Sequence, residues 1–122
     1  MHLALNITTV LITQYSIVRK LFKAILSLPD VDGVFYLNDY GKLIAGILPE
    51  PFTEDSFKSL TQHIMDFLEA VDANSDQTDE YFLKFHGHAL YLRRNRICTL
   101  GIFTDEKPDM GRLREASDRF LG

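Results

Sequence analysis

The residues best equipped for chemistry are His86 and His88, which flank a single glycine in His86-Gly87-His88. Imidazole is a common metal ligand and a proton carrier near neutral pH. A metal site needs three or four converging ligands, however, and the chain has neither a Cys-x-x-Cys nor a His-Glu-x-x-His spacing. With His86-Gly87 as a two-residue turn, the two rings diverge at a hairpin tip and form a surface pair. His63 falls on the polar side of a helical pattern, where it is expected to be exposed. Cys98 is the one cysteine, so no internal disulfide forms. It stands in the apolar run Ile97-Cys98-Thr99-Leu100, where a buried, inert thiol is expected, and no neighbouring base is present to activate it. The carboxylates Asp30, Asp32, Asp39, Glu54, Asp55 and those from Asp76 to Glu80 fall in turns, caps and loops, where they bond to backbone amides. Gly41, Gly46 and Gly87 are isolated, and no Gly-Lys-Ser/Thr follows a strand pattern. Nothing here selects a nucleophile, an acid–base pair or a phosphate cradle. The expectation is a chain without catalytic residues, metal or cofactor.

Composition narrows the class further. At 122 residues the chain is expected to be one domain, residues 1–122, with a single core. Hydrophobic residues make up 46% and charged residues 25%, the balance of a soluble globular protein. A net charge of -4 argues against nucleic-acid binding, which rests on neutralising phosphates. Arg93-Arg94-Asn95-Arg96 is the only counter-signal, and three arginines at a turn are read as solvated. The apolar Leu3-Ala4-Leu5-Asn6-Ile7 lacks the charged flank and cleavage site of a signal peptide. No apolar run approaches the ~20 residues that span a bilayer. A cytoplasmic location is expected.

The elements follow from periodicity. Residues 1–9 read as a flexible lead-in, either frayed helix or short strand. From about Val10, Leu11, Tyr15, Val18, Phe22 and Ile25 recur at spacings of three and four, the stripe of an amphipathic helix, with Arg19, Lys20 and Lys23 turned to water. Pro29 breaks it, because proline cannot continue a helix. Val34-Phe35-Tyr36-Leu37 suits a strand, Asn38-Asp39-Tyr40-Gly41 a turn with Gly41 left-handed, and Leu43 to Ile47 the returning strand. Thr53 is the expected cap of a long helix from Glu54 to about Ala73. On that helix Phe57, Leu60, Ile64, Phe67, Leu68 and Val71 share an arc of roughly 100°. Lys58, Gln62, Asp66 and Glu69 cover the opposite side, with Thr61 and Met65 on the shoulder between.

A polar loop leads to a three-strand meander, Tyr81–Phe85, His88–Arg93 and Arg96–Phe103, with tight turns at His86-Gly87 and Arg94-Asn95. That register puts Leu83, Leu90, Leu92 and Ile97 on one face and Phe82, Tyr91, Cys98, Leu100 and Ile102 on the other. Both faces are apolar, so both need cover. Asp109 caps a final helix whose apolar side is Met110, Leu113, Ala116, Phe120 and Leu121.

Leu28-Pro29-Asp30-Val31-Asp32-Gly33-Val34, Asp39-Tyr40-Gly41-Lys42-Leu43-Ile44-Ala45 and the long helix from Glu54 together resemble the roadblock family, the dynein light-chain and GTPase-regulator type, over nearly the whole chain. Longin, profilin-like and PAS-type domains share this element order. A single long crossover helix and a short final helix directly after the meander favour roadblock. The resemblance implies an α+β fold of order α-β-β-α-β-β-β-α. Its five-stranded antiparallel sheet would carry the long helix on one face and the terminal helices on the other. It also implies a non-enzymatic dimer, of itself or with a paralogue, that acts as scaffold or regulator for a Ras-like small GTPase or dynein. Pairing through the third strand would place Tyr81, Phe82, Leu83, Lys84 and Phe85 at the dimer interface. Thr61 and Met65 would meet across the two-fold, and Lys58, Gln62 and Met65 would face the GTPase. The alternative is a small-ligand sensory domain with a pocket lined by Phe35, Tyr36 and Phe67.

Overall fold

A computed structural model describes residues 16–50, 52–73, 79–85 and 88–121. In chain order these form α1 (Ser16–Leu26), β1 (Val31–Asn38), β2 (Leu43–Ile47), α2 (Glu54–Ala73), β3 (Glu80–Phe85), β4 (His88–Arg94), β5 (Cys98–Thr104) and α3 (Met110–Leu121). The lead-in over residues 1–9, the expected helix start near Val10, most of the loop before β3 and the His86-Gly87 turn lie outside the described residues. β1 starts at Val31, three residues before the apolar run that announces it.

The strands form one antiparallel sheet in the order β2-β1-β5-β4-β3. Alternation along each strand builds two cores. Phe35, Leu37, Leu90, Leu92 and Phe103 point to the face covered by α2, where Phe57, Ile64 and Leu68 meet them. Val34, Ala45, Tyr91, Leu100 and Ile102 point to the other face, under Phe22 and Ile25 of α1 and Leu113 of α3. Each buried Val, Leu, Ile or Phe among them is worth about 1.5–3 kcal/mol, so neither face is stable bare. Phe22, Tyr36 and Phe120 form a ring cluster that ties α1 to α3, with Phe22 and Phe120 stacked at 5.6 Å.

One register expectation is corrected. A turn at Arg94-Asn95 would pair Arg93 with Arg96, but Arg93 pairs with Leu100 and Arg94 with Thr99. Asn95 makes the longer loop: its side-chain oxygen accepts from the backbone N–H groups of Ile97 and Cys98. The slip is four residues, an even number, so every strand residue keeps its face. Of the residues assigned to a face, Ile97 alone changes place, while Arg96 leaves the strand with it and Arg94 joins β4. Ile97 lies in the loop, 71% exposed, instead of facing Leu92. Cys98 is half-buried, and burial raises its thiol pKa above the ordinary value.

The turn and cap chemistry holds the elements at their ends. Gly41 has φ 81°, which closes the β1–β2 hairpin at little steric cost. Asn38 Oδ1 accepts from the amides of Tyr40 and Lys42, both at 2.9 Å. At α2, Thr53 Oγ1 accepts from the Ser56 amide while Ser56 Oγ accepts from the Thr53 amide, a reciprocal cap. Asp109 caps α3 by accepting from the Arg112 amide, and its own N–H donates to Asp30 at 3.0 Å.

Candidate protein-interaction surface

β3 pairs only with β4, so one side of its backbone faces no described strand. Tyr81 and Leu83 are half-buried toward α2, and Phe82 is half-buried on the opposite face. Lys84 is exposed, with its ammonium 5.9 Å from the Phe82 ring centre. Edge strands are normally blunted by charge, proline or brevity, and this one carries Glu80 at its start, Lys84 near its end and no proline.

α2 reaches β3 through Phe67, whose ring meets Tyr81 edge-on at 5.2 Å. Leu60 and Val71 stand on the same side of the helix as Phe67, seven and four residues away, and all three are half-buried. Thr61 and Met65 occupy the other flank. Met65 is half-buried over the β1–β2 hairpin: a Cβ at Gly41 would lie 2.7 Å from its Cγ. Thr61 is half-buried, and its hydroxyl donates to the Lys58 carbonyl at 2.8 Å. The expected interface residues thus fall into two groups on opposite flanks of α2, one with β3 and one with the hairpin. Lys58 and Gln62 are exposed, and Gln62 donates to Asp66 at 3.0 Å.

A polar network fastens the start of β3. The Glu80 carboxylate accepts two bonds from Arg114 of α3, at 2.8 and 3.0 Å, and a third from the Tyr91 hydroxyl. The Arg114 guanidinium, followed by the Tyr91 bond, pulls the Glu80 pKa down to about 2. Burial, together with the Glu80 bond, raises the Tyr91 pKa, so its hydroxyl stays a donor. Arg93 reaches across to α3 as well, donating to Ser117 at 2.9 Å and to Asp118 at 2.7 Å. Arg94 turns the other way and pairs with Asp72 at the end of α2. Of the three arginines expected in solvent, only Arg96 is exposed. The register slip moves Arg94 from the expected turn into β4, while Arg93, already expected in that strand, is half-buried by its bonds to α3.

Among the described residues, no three His, Cys, Asp or Glu side chains stand together as metal ligands. Phe35 and Tyr36 alternate to opposite faces of the sheet, and Phe67 is spent on Tyr81, so the three do not line a common pocket. Phe35 is closed in by Phe57 and Phe103 at 5.0 and 5.5 Å.

Solved structures share this architecture. An MglB structure described as having a tetrameric arrangement superposes with a TM-score of 0.67 at 14% identity, over 86% of this chain and 82% of that one. Myxococcus xanthus MglB gives 0.60 at 19% identity, over 83% and 79%. A Roadblock/LC7 domain from Streptomyces avermitilis gives 0.61 at 13% identity, over 84% and 92%. The chain has the roadblock fold. No family model and no curated protein matches the sequence. At these identities it is architecture alone that is shared. Among the described residues, no helix is long and apolar enough to cross a membrane.

Proposed function

We propose that two copies pair through β3 and the adjoining flank of α2, and that the pair binds a Ras-like small GTPase, modulating its nucleotide cycle or location without chemistry of its own. The observation that carries this reading is the β3 edge, free of proline, with Tyr81 and Leu83 toward α2 and Phe82 between Glu80 and Lys84 on the other face, beside the half-buried Leu60, Phe67 and Val71 of α2. Joining two such edges extends the sheet and brings two long helices side by side. That makes a broad, rigid platform of the kind proteins recognise, unlike the concave pocket a small ligand needs. The side of α2 away from the sheet, with Lys58 and Gln62, is the surface offered to the GTPase, and Met65 and Thr61 stand at its margin. Support for the partner class comes from the roadblock resemblance and from the fold shared with MglB. The test is titration of the purified protein with the small GTPases of its own host, loaded with GDP and with a GTP analogue. Saturable binding in at least one state, reduced by Lys58→Glu with Gln62→Glu, is expected. No binding in either state to any of them would overturn the reading.

A further inference from the structure

On the sheet face opposite α2, helices α1 and α3 leave a groove of about 240 Å³ between them. Its apolar lining comes from Leu21, Ala24 and Leu28 on one side, with Ser27, and from Ala116 on the other, where Arg112, Glu115 and Arg119 also line it. Charge is distributed unevenly around it. α1 carries Arg19, Lys20 and Lys23 and no acid, and no Asp or Glu precedes Asp30 in the chain. Lys20 and Lys23 each precede a lining residue, Ala24 and Ser27, by one helical turn. On α3, Arg112 is paired with Asp109 and Arg119 with Glu115, all with more than half of the side chain exposed. Exposed pairs of this kind are weak and exchangeable. The groove is therefore an apolar strip around which cations (Lys20, Lys23, Arg112 and Arg119) outnumber acids (Asp109 and Glu115), on a protein whose net charge is -4.

From this complementarity we infer that the α1–α3 groove receives an acidic amphipathic helix of a partner protein, small apolar residues down and carboxylates against Lys20, Lys23, Arg112 and Arg119. A helix laid in a groove anchors through residues three and four apart, which suits a strip bounded by two helices. The chain's own residues 1–15 contain no acid and do not complement the rim. A lipid surface fits less well, because membrane-seeking faces project large apolar side chains. The exposed large apolar residues here, Tyr40 and Ile97, belong to the hairpin tip and the β4–β5 loop instead. The site lies across the sheet from α2, so it stands independently of dimer pairing and GTPase binding.

The experiment uses the full chain and two fluorescent amphipathic peptides of about five helical turns, identical in their Leu and Ala face, one flanked by Glu and the other by Lys. Fluorescence anisotropy is read at ~0.05 M and ~0.5 M salt, where screening differs several-fold. Binding of the Glu peptide, absence of binding by the Lys peptide, and at least tenfold weakening in high salt are expected. Lys20→Glu with Lys23→Glu should weaken the Glu peptide by a further tenfold and leave the melting temperature unchanged, since both side chains are exposed. Ala24→Trp, which fills the strip without altering charge, should abolish binding. Equal binding of both peptides, no effect of either variant, or capture by phosphatidylserine vesicles in place of the peptide would each overturn the proposal.

Discussion

The sharpest demand at the scale of single residues is made by Gly101. A Cβ there would lie 2.2 Å from Cζ of Phe35, its cross-strand partner, whose ring fills the space that a side chain would need. Gly101→Ala is expected to cost about 1–3 kcal/mol through overpacking, read as a lower chemical-denaturation midpoint. Phe35→Leu in the same chain should recover part of that loss, because the two changes share one volume. Gly41 was legible beforehand, since turn formers surround it and a left-handed residue is required there. Gly101 was not, because only the β1–β5 pairing brings Phe35 over it. Glu80 was equally hidden, as its partner Arg114 is 34 positions away. Its pKa falls from the ordinary 4.5 to about 2, so its contribution is complete above roughly 4.5 and disappears as pH drops toward 2. Glu80→Gln is expected to lower stability at neutral pH by about 1 kcal/mol, less than a fully buried charged pair because its side chain is 31% exposed. It should also flatten the stability profile between pH 4.5 and 2, as measured by urea unfolding at stepped pH.

Among the elements, α2 was the most legible, with its bounds and its buried residues Phe57, Ile64 and Leu68 all given by the helical period. Period alone fails on its flanks. An arc of roughly 100° says what faces a core, but not which margin meets β3 and which the hairpin. That distinction, Phe67 on Tyr81 against Met65 on Gly41, exists only once the helix is laid across the sheet. The meander shows a related limit. Its faces were legible because side chains alternate with period two, whereas its second turn was missed because Asn95 accepts from two amides and builds a longer loop. The reciprocal Thr53–Ser56 cap is a local feature with a local consequence. Thr53→Ala leaves an α2 amide without its acceptor and should cost about 1 kcal/mol, seen as a fall of several degrees in Tm, with no change in oligomeric state.

At the scale of the whole molecule, the sheet ends in two edge strands, β2 and β3, each paired on one side only among the described residues, and the proposed pairing uses the edge at β3. If pairing runs through that edge, Leu83→Pro should remove a backbone donor and convert the dimer to monomer in sedimentation at tens of micromolar, with helix content kept. The parent protein sedimenting as a monomer at that concentration would count against pairing, because an interface of standard size holds more tightly. The strand order carries a further consequence, in time and not in space. β1 leaves the ribosome before β5, its central neighbour, which lies 64 residues further on, with Tyr36 opposite Leu100. The β1–β2 hairpin must therefore wait through the synthesis of α2, β3 and β4 with one edge of Val34 to Leu37 unclaimed. Distant pairings of this kind are slow, and waiting edges invite the wrong partner. Folding of the nascent chain is thus committed only when β5 emerges, and a message truncated before Cys98 yields a sticky fragment, not half a domain.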